Sequence, residues 1–426
     1  MSAEFAFALG VATTERLSET LLRPPTLVLG VDTRQSCAML RHSFSAGALS
    51  RGAQVIYAGV LPTPGVSFLT RHLGADAGVV ISASHNPFED NGIKIFGPAG
   101  DKLADAEEAA IEARLECDAS ELPEVVGSAI GESQRYRRAD GAYREFLLTH
   151  APYLDGMRIG LDCANGAASD LAPEVFRRLG ARLHVVHAEP DGRNINVACG
   201  STHPESIREH VRLHGLDVGV TFDGDADRAL LVDARGRLVT GDHVLAIVAR
   251  VRGDREVVST VMANLGVERW LAGHGVRLHR TQVGDRYVHQ ELVKRGLRLG
   301  GEASGHLLFL DKAPTGDGLL TALQALAAVR ASGRPLEDWM DEIPSYPQIL
   351  RNVPVQTGRK RDAASHPEVL AAVAQAEADL GDDGRVNLRP SGTEPLVRVM
   401  VEGVDQDRIE RCAARLAEVV ARVGTA

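Results

Sequence analysis

The alternation of short, β-branched apolar runs with amphipathic stretches limits this chain more than any other feature of its sequence. After an opening helical stretch from Glu4 to Leu22, the runs Thr26–Val31, Gln54–Tyr57 and Gly78–Ile81 read as strands with helical patterns between them. Strands joined through helices argue for βαβ units and a mostly parallel sheet. The pattern restarts at Met157–Asp162, running through Val218–Phe222, and again at Val257–Met262, with Arg277–Thr281 and the helix Gly316–Ala331. From about Tyr346 the order becomes strand, helix (Glu368–Leu380), two strands (Arg385–Leu388 and Leu396–Val401) and helix (Asp407–Val423), the grammar of a small α+β unit. The expected fold class is α/β, with three similar α/β domains over 1–135, 151–250 and 251–345 and a smaller C-terminal α+β domain over 346–426. No repeat is strong enough in sequence to prove duplication, and one large irregular domain is the rival. A length of 426 residues favours several domains, since a domain usually takes roughly 100–200.

Lys and Arg number 47 against 57 Asp and Glu, a net charge of −10 that works against non-specific attraction to nucleic acid or an anionic membrane. An acidic chain can still hold a phosphorylated substrate where Arg, Lys and backbone N–H groups converge. Cys37, Cys117, Cys163, Cys199 and Cys412 are scattered and never form a CxxC pair, so they read as reduced thiols. No signal-like opening and no apolar run near the ~20 residues of a membrane span are seen, so the expected location is the cytoplasm.

Ser82-Ala83-Ser84-His85-Asn86-Pro87 directly follows the run Gly78–Ile81. Ligand sites of α/β sheets lie beyond the carboxyl ends of strands, so Ser84 can project into a cleft with Lys94 nearby. Adjacent Ser and His seldom form a hydrolytic pair, and neither a G-x-S-x-G elbow nor a third member is evident; an Asx-type turn without chemistry stays open. Asp223-Gly224-Asp225-Ala226-Asp227-Arg228 follows Val218–Phe222. Its alternate carboxylates suit a hard cation such as magnesium, with Gly224 permitting the turn. An EF-hand would need a Glu at the twelfth loop position, which is Ala234 here. A solvated acidic turn is the plain alternative.

Gly301-Glu302-Ala303-Ser304-Gly305-His306 offers Glu302 and Ser304 to sugar hydroxyls and His306 for proton transfer, and a polar turn explains it equally well. Arg389-Pro390-Ser391-Gly392-Thr393-Glu394-Pro395, with Arg398 beyond, brings hydroxyls, backbone N–H groups and guanidinium groups into one loop suited to phosphate. It is not a Walker loop, and a hairpin-like turn is its alternative.

These four segments, in this order and one to each block, resemble the α-D-phosphohexomutase superfamily over nearly the whole chain, in particular its bacterial branch acting on glucosamine phosphates. Asp191-Gly192-Arg193-Asn194-Ile195-Asn196, Cys199-Gly200-Ser201, Val283-Gly284-Asp285-Arg286-Tyr287-Val288 and Thr315-Gly316-Asp317-Gly318 fit that branch. The resemblance implies four domains around a central cleft. It implies that Ser84 bears a phosphoryl group and that Asp223, Asp225 and Asp227, with the Ser84 phosphoryl oxygen, hold Mg2+. Lys94, Arg228 and His306 then match positions near the proton transfers, and Glu302 and Ser304 match the sugar-binding loop. Arg389, Ser391, Gly392, Thr393 and Arg398 match the clamp for the substrate's existing phosphate.

The implied activity is that of an isomerase. Phospho-Ser84 gives its group to O1 of glucosamine 6-phosphate, the glucosamine 1,6-bisphosphate turns over in the cleft, and the 6-phosphate returns to Ser84. Glucosamine 1-phosphate is left for amino-sugar nucleotide and cell-wall precursor synthesis. The resemblance also implies a kinase or the bisphosphate to prime Ser84, and allows a homodimer. Two departures stand out. The family's opening strand and G-T-D-G-[IV]-R-G loop, whose arginine reaches the active site, have no counterpart in Ser2-Ala3-Glu4-Phe5-Ala6-Phe7. A shortened start or the loss of a strand and an arginine would account for this, with a weakened first sheet or slow turnover expected; Arg34 belongs to a different stretch. Ala303 stands where Gln is usual in G-E-Q-S-G-H, which removes a contact to the sugar. The alternatives are a phosphomannomutase or phosphoglucomutase of the same superfamily, a metal-dependent phosphatase and a non-catalytic sugar-phosphate binder.

Overall fold

The apolar runs become strands whose order repeats from one block to the next. The computed structural model describes residues 1–115, 125–391 and 394–425. In the first block β1 (Thr26–Val31), β2 (Gln54–Val60) and β3 (Ala77–Ile81) are parallel, with β1 central. β4 (Ile93–Phe96) runs antiparallel to β3 at one edge, and β5 (Ser133–Arg135) parallel to β2 at the other. The helices are α1 (Ala3–Ser18), α2 (Cys37–Leu49), α3 (Thr63–His72), α4 (Asp105–Leu115) and α5 (Ala139–Thr149). Leu27, Leu29, Val31, Ala77, Val79 and Ile81 pack with residues of α1 and α2. Gly30 and Gly78, on the opposite face, lie against Val66 and Thr70 of α3. A parallel sheet covered on both faces needs apolar residues at every position, which is why the strands read as continuous runs.

The second block holds β6 (Arg158–Asp162), α6 (Leu171–Arg178), β7 (Arg182–Val186), α7 (Glu205–His214), β8 (Val218–Phe222), β9 (Ala229–Asp233) and β10 (Leu238–Val239). Its order β9-β8-β6-β7 copies β4-β3-β1-β2 strand for strand, down to the antiparallel β8/β9 pair, with β10 added antiparallel outside β9. A third block follows with α8 (Gly241–Arg252), β11 (Glu256–Thr260), α9 (Leu265–Gly273), β12 (Arg277–Thr281), α10 (Asp285–Arg295), β13 (Leu299–Gly301), β14 (Leu307–Phe309), α11 (Gly318–Ser332) and α12 (Leu336–Glu342). β13 is parallel to β11 and antiparallel to β14, again the same step. Helix α11 starts two residues later than its pattern suggests, because the Asp317 side chain accepts from Leu320 N and caps it there.

The chain divides into two compact units, Met1–Thr260 with Thr281–Asp341, and Val261–Arg280 with Glu342–Ala426. In the second, β15 (Gln348–Pro354), α13 (Lys360–Ser365), α14 (Pro367–Leu380), β16 (Gly384–Pro390), β17 (Leu396–Gly403) and α15 (Gln406–Thr425) form an antiparallel three-stranded sheet, order β15-β17-β16, backed by helices. Val397, Val399 and Val401 of β17 alternate into a core with Ile409, Cys412, Leu416 and Val420 of α15. Buried Glu402 pairs with Arg385 at 2.7 Å and accepts from Leu265 N at 2.8 Å, fastening the start of α9. Among the described residues no helix is long and apolar enough to cross a membrane.

Candidate active site

Three of the four motifs sit at one topological point, the return from a block's last parallel strand into the antiparallel strand that pairs with it. Ser84 lies between β3 and β4, Asp223–Arg228 between β8 and β9, and Glu302–His306 between β13 and β14. Each loop therefore opens at the carboxyl end of a buried strand, where ligands of α/β folds collect.

Ser84 is buried and holds a left-handed φ of 50°. Its N–H donates to Ser82 Oγ at 2.9 Å, and Ser82 Oγ donates to Asp32 at 2.6 Å. The hydroxyl donates to Asp223 Oδ2 at 2.6 Å, while His85 Nδ1 stands 3.4 Å away. What keeps the loop in this conformation is Arg34, whose side chain is fully buried against Asp32. Its guanidinium donates to the carbonyls of Ser84 (2.9 Å), Asn86 (2.8 Å), Asp90 (3.1 Å) and Pro87. Asn196 Nδ2 adds bonds to Ser84 O at 2.9 Å and Asn86 O at 3.0 Å. Neither Arg34 nor Asn196 stands out in the sequence as a site residue. The signal for Arg34 was its place just beyond the carboxyl end of β1.

Asp223, Asp225 and Asp227 are all buried, and one oxygen of each lies within 4.8 Å of the others. Gly224 is required here, since a Cβ would come within 2.6 Å of Ser84 O and 2.8 Å of Asn196 Nδ2. Thr63 donates to Asp225 Oδ2 at 2.5 Å, and Lys94 Nζ reaches the same oxygen at 2.6 Å and Asp227 Oδ2 at 3.4 Å. Burial, then the charges of Asp227 and Asp225, push the Asp223 carboxyl well above the usual range. Burial alone would also raise Asp227, but Lys94 and His306 outweigh it and hold that carboxyl well below. Asp225 Oδ1 and Asp227 Oδ1 are buried and accept no hydrogen bond. An all-oxygen donor set with unsatisfied buried oxygens fits a hard divalent cation.

Around this centre, Arg228 Nε is 3.7 Å from Asp227 Oδ1, and its N–H donates to Asp223 Oδ1 at 3.2 Å. His306 lies between Asp227 (3.6 Å) and Asp285 (3.4 Å), and Asp285 also pairs with Lys102 at 2.5 Å. Burial disfavours charge on His306, yet the two carboxylates prevail and raise its pKa. Gly316 leaves room for the ring, since a Cβ there would fall 2.2 Å from His306 Nε2. Glu302 Oε1 accepts from Gly284 N at 3.0 Å, and Ser304 Oγ is buried without a partner. Ser84, Lys94, Arg228, His306 and the three aspartates are thus brought together within one unit.

In the second unit Arg389 and Arg398 are direct cross-strand partners on β16 and β17. Like charges placed opposite are unfavourable unless an anion lies between or beside them. Arg398 pairs with Glu394 at 3.3 Å, and Ser391 Oγ accepts from Glu394 N at 3.3 Å. Gly392 and Thr393, expected in the same loop, lie outside the described residues.

Comparison with known proteins places this geometry. Models of the four phosphoglucomutase/phosphomannomutase domains match along the chain, α/β/α domain I at residues 1–121, II at 143–236, III at 240–346 and the C-terminal domain at 350–419. A phosphoglucosamine mutase of Deinococcus radiodurans is 54% identical over 422 residues, covering 99% of this chain and 94% of that protein. One from Thermus thermophilus is 49% identical over 93% of this chain and 88% of its own length. Among solved structures, a phosphoglucomutase/phosphomannomutase family protein of Burkholderia thailandensis superposes with a TM-score of 0.80 at 21% identity, covering 99% of this chain and 94% of that one. The Aspergillus fumigatus N-acetylphosphoglucosamine mutase, solved with GlcNAc-6P and magnesium, gives 0.69 at 20% identity over 85% of this chain and 93% of its own.

Proposed function

Since the chain belongs to the phosphoglucomutase/phosphomannomutase family of α-D-phosphohexomutases, we propose that it interconverts glucosamine 6-phosphate and glucosamine 1-phosphate through phosphorylated Ser84. The observation that carries this reading is the Ser84 Oγ to Asp223 contact of 2.6 Å, which joins the nucleophile's loop to the carboxylate cluster. Asp223, Asp225 and Asp227 would hold Mg2+, which when bound offsets negative charge on the transferring phosphoryl group. Phospho-Ser84 gives its group to O1 of the 6-phosphate; the P–O bond to Ser84 breaks as that to O1 forms, and the O1 proton passes through a base to the freed Ser84 Oγ. After the bisphosphate turns over, Ser84 Oγ takes the 6-phosphoryl group and the sugar 6-oxygen receives a proton.

Lys94 and Arg228 supply fixed positive charge beside the transfer, and preorganised charge of this kind stabilises a transition state more than the same charge in water. His306, kept protonatable by Asp227 and Asp285, holds or moves the proton of a sugar hydroxyl. Glu302 and Ser304 orient the sugar, while Arg389, Ser391 and Arg398 take its non-reacting phosphate. Either a kinase or the bisphosphate primes Ser84.

The test is the intact mass of the purified chain followed by turnover of glucosamine 6-phosphate with Mg2+ and a trace of 1,6-bisphosphate. A phosphate-sized increment mapped to Ser84 with glucosamine 1-phosphate formed is the expected result. Free inorganic phosphate as the main product would replace the mutase with a phosphatase, and faster turnover of glucose or mannose phosphates would change the sugar.

A further inference from the structure

The second block carries a cluster of side chains that phosphoryl transfer leaves unused. His184 lies on edge strand β7, and His210 and His214 stand one turn apart on α7, where a spacing of four residues places them on one face. Ring centroids are separated by 5.7 Å (His184 to His210), 5.0 Å (His184 to His214) and 4.3 Å (His210 to His214). One nitrogen from each ring lies within 4.8 Å of the other two. His210 Nε2 is buried without a hydrogen-bond partner, whereas His214 is exposed and leaves a way in from solvent.

We propose that His184, His210 and His214 form a site for a divalent transition metal of the zinc class, with water completing the coordination. Tetrahedral zinc holds its ligand nitrogens at roughly 2.0–2.1 Å, hence roughly 3.4 Å from one another. Small rotations about the histidine side-chain bonds close that gap. Imidazole nitrogen favours zinc, cobalt, nickel and copper, while Mg2+ prefers oxygen. The aspartate cluster and the histidine cluster therefore sort metals by ligand chemistry. A bound metal would staple the last turn of α7 to the edge strand and stabilise that pairing by mass action.

The untagged full-length chain, kept in excess Mg2+ to occupy oxygen sites, is titrated with Co2+ and followed by visible absorption. The expected result is one equivalent of Co2+ with the intense bands of a tetrahedral site, released by Zn2+, and a melting temperature that rises with Zn2+. His214→Gln and His210→Gln should each weaken Co2+ binding at least about tenfold while mutase turnover in Mg2+ is unchanged. His214→Gln, on the exposed side of the cluster, keeps the test valid if His210→Gln fails to fold. No tetrahedral Co2+ signal up to millimolar metal, or a signal untouched by His214→Gln, would overturn the site.

Discussion

The loops after β3 and β8 occupy the same place in two copies of one sheet order, yet they are held in opposite ways. The Ser84 loop is saturated with donors, its carbonyls taken up by Arg34 and Asn196. The Asp223–Asp227 loop gathers negative charge and leaves Asp225 Oδ1 and Asp227 Oδ1 without a hydrogen bond. One loop holds the backbone around Ser84 still; the other gathers carboxylates, which on the proposed reading would attract a cation. The division is physically economical, because a satisfied backbone resists displacement while unsatisfied buried carboxylates bind a counter-charge strongly.

The largest effect should come from the point where the two loops meet. Ser84→Ala is expected to reduce isomerisation at least about a thousandfold while sugar-phosphate binding, followed by calorimetry, persists; retained turnover would separate the loops functionally. Asp225→Asn should lower activity about a hundredfold and move the Mg2+ titration to higher concentration, and an unchanged titration would remove Asp225 from the cation's ligands. Arg34→Lys retains the charge but not the fork of donors, so a loss of about tenfold in kcat with an unaltered Mg2+ titration is expected. A shift in metal dependence there would show that the two loops are not separate devices.

A separate effect, read in stability rather than turnover, concerns the helix that adjoins the third loop. Gly241 N, at the start of α8, donates to Ala303 O at 2.9 Å, and the same turn is capped by His243 Nδ1, which accepts from Thr240 N. Burial pushes the His243 pKa down to about 4. The unfolded chain thus takes up a proton near pH 6.5 that the folded chain refuses until about pH 4, so stability falls as pH falls through this window. Urea melts at about pH 7.5 and about pH 5 should differ by roughly 2 kcal/mol from this group, and His243→Gln should flatten the difference.

The candidate residues stood out because they are contiguous in sequence: Ser84 in the turn Ser82–Pro87, and three aspartates within Asp223–Asp227. The buried parallel strands β1, β2, β3, β6, β8 and β11 were legible too, as apolar runs, while the more exposed β5 and β7 were not read. The return strands were harder, since β14 has three residues and β4 four, too short for periodicity to speak. Arg34 was missed as a positioning residue because its partners lie about fifty positions away in Ser84–Asp90, and no local pattern encodes so distant a clamp. The repeated strand order showed in sequence only as a restarting pattern of apolar runs, not as matching residues, because burial rather than residue identity selects a β position.

The hydrogen bond from Ser84 Oγ to Asp223 has one more consequence. It needs a hydroxyl proton, which a phosphorylated serine does not have, so phosphorylation, on the proposed reading, replaces the bond with a repulsion between phosphate oxygens and the aspartate cluster. A cation relieves that repulsion, and by reciprocity the modified chain must bind the cation more tightly than the unmodified one. On that reading, phosphorylation of Ser84 and binding of the cation would each strengthen the other.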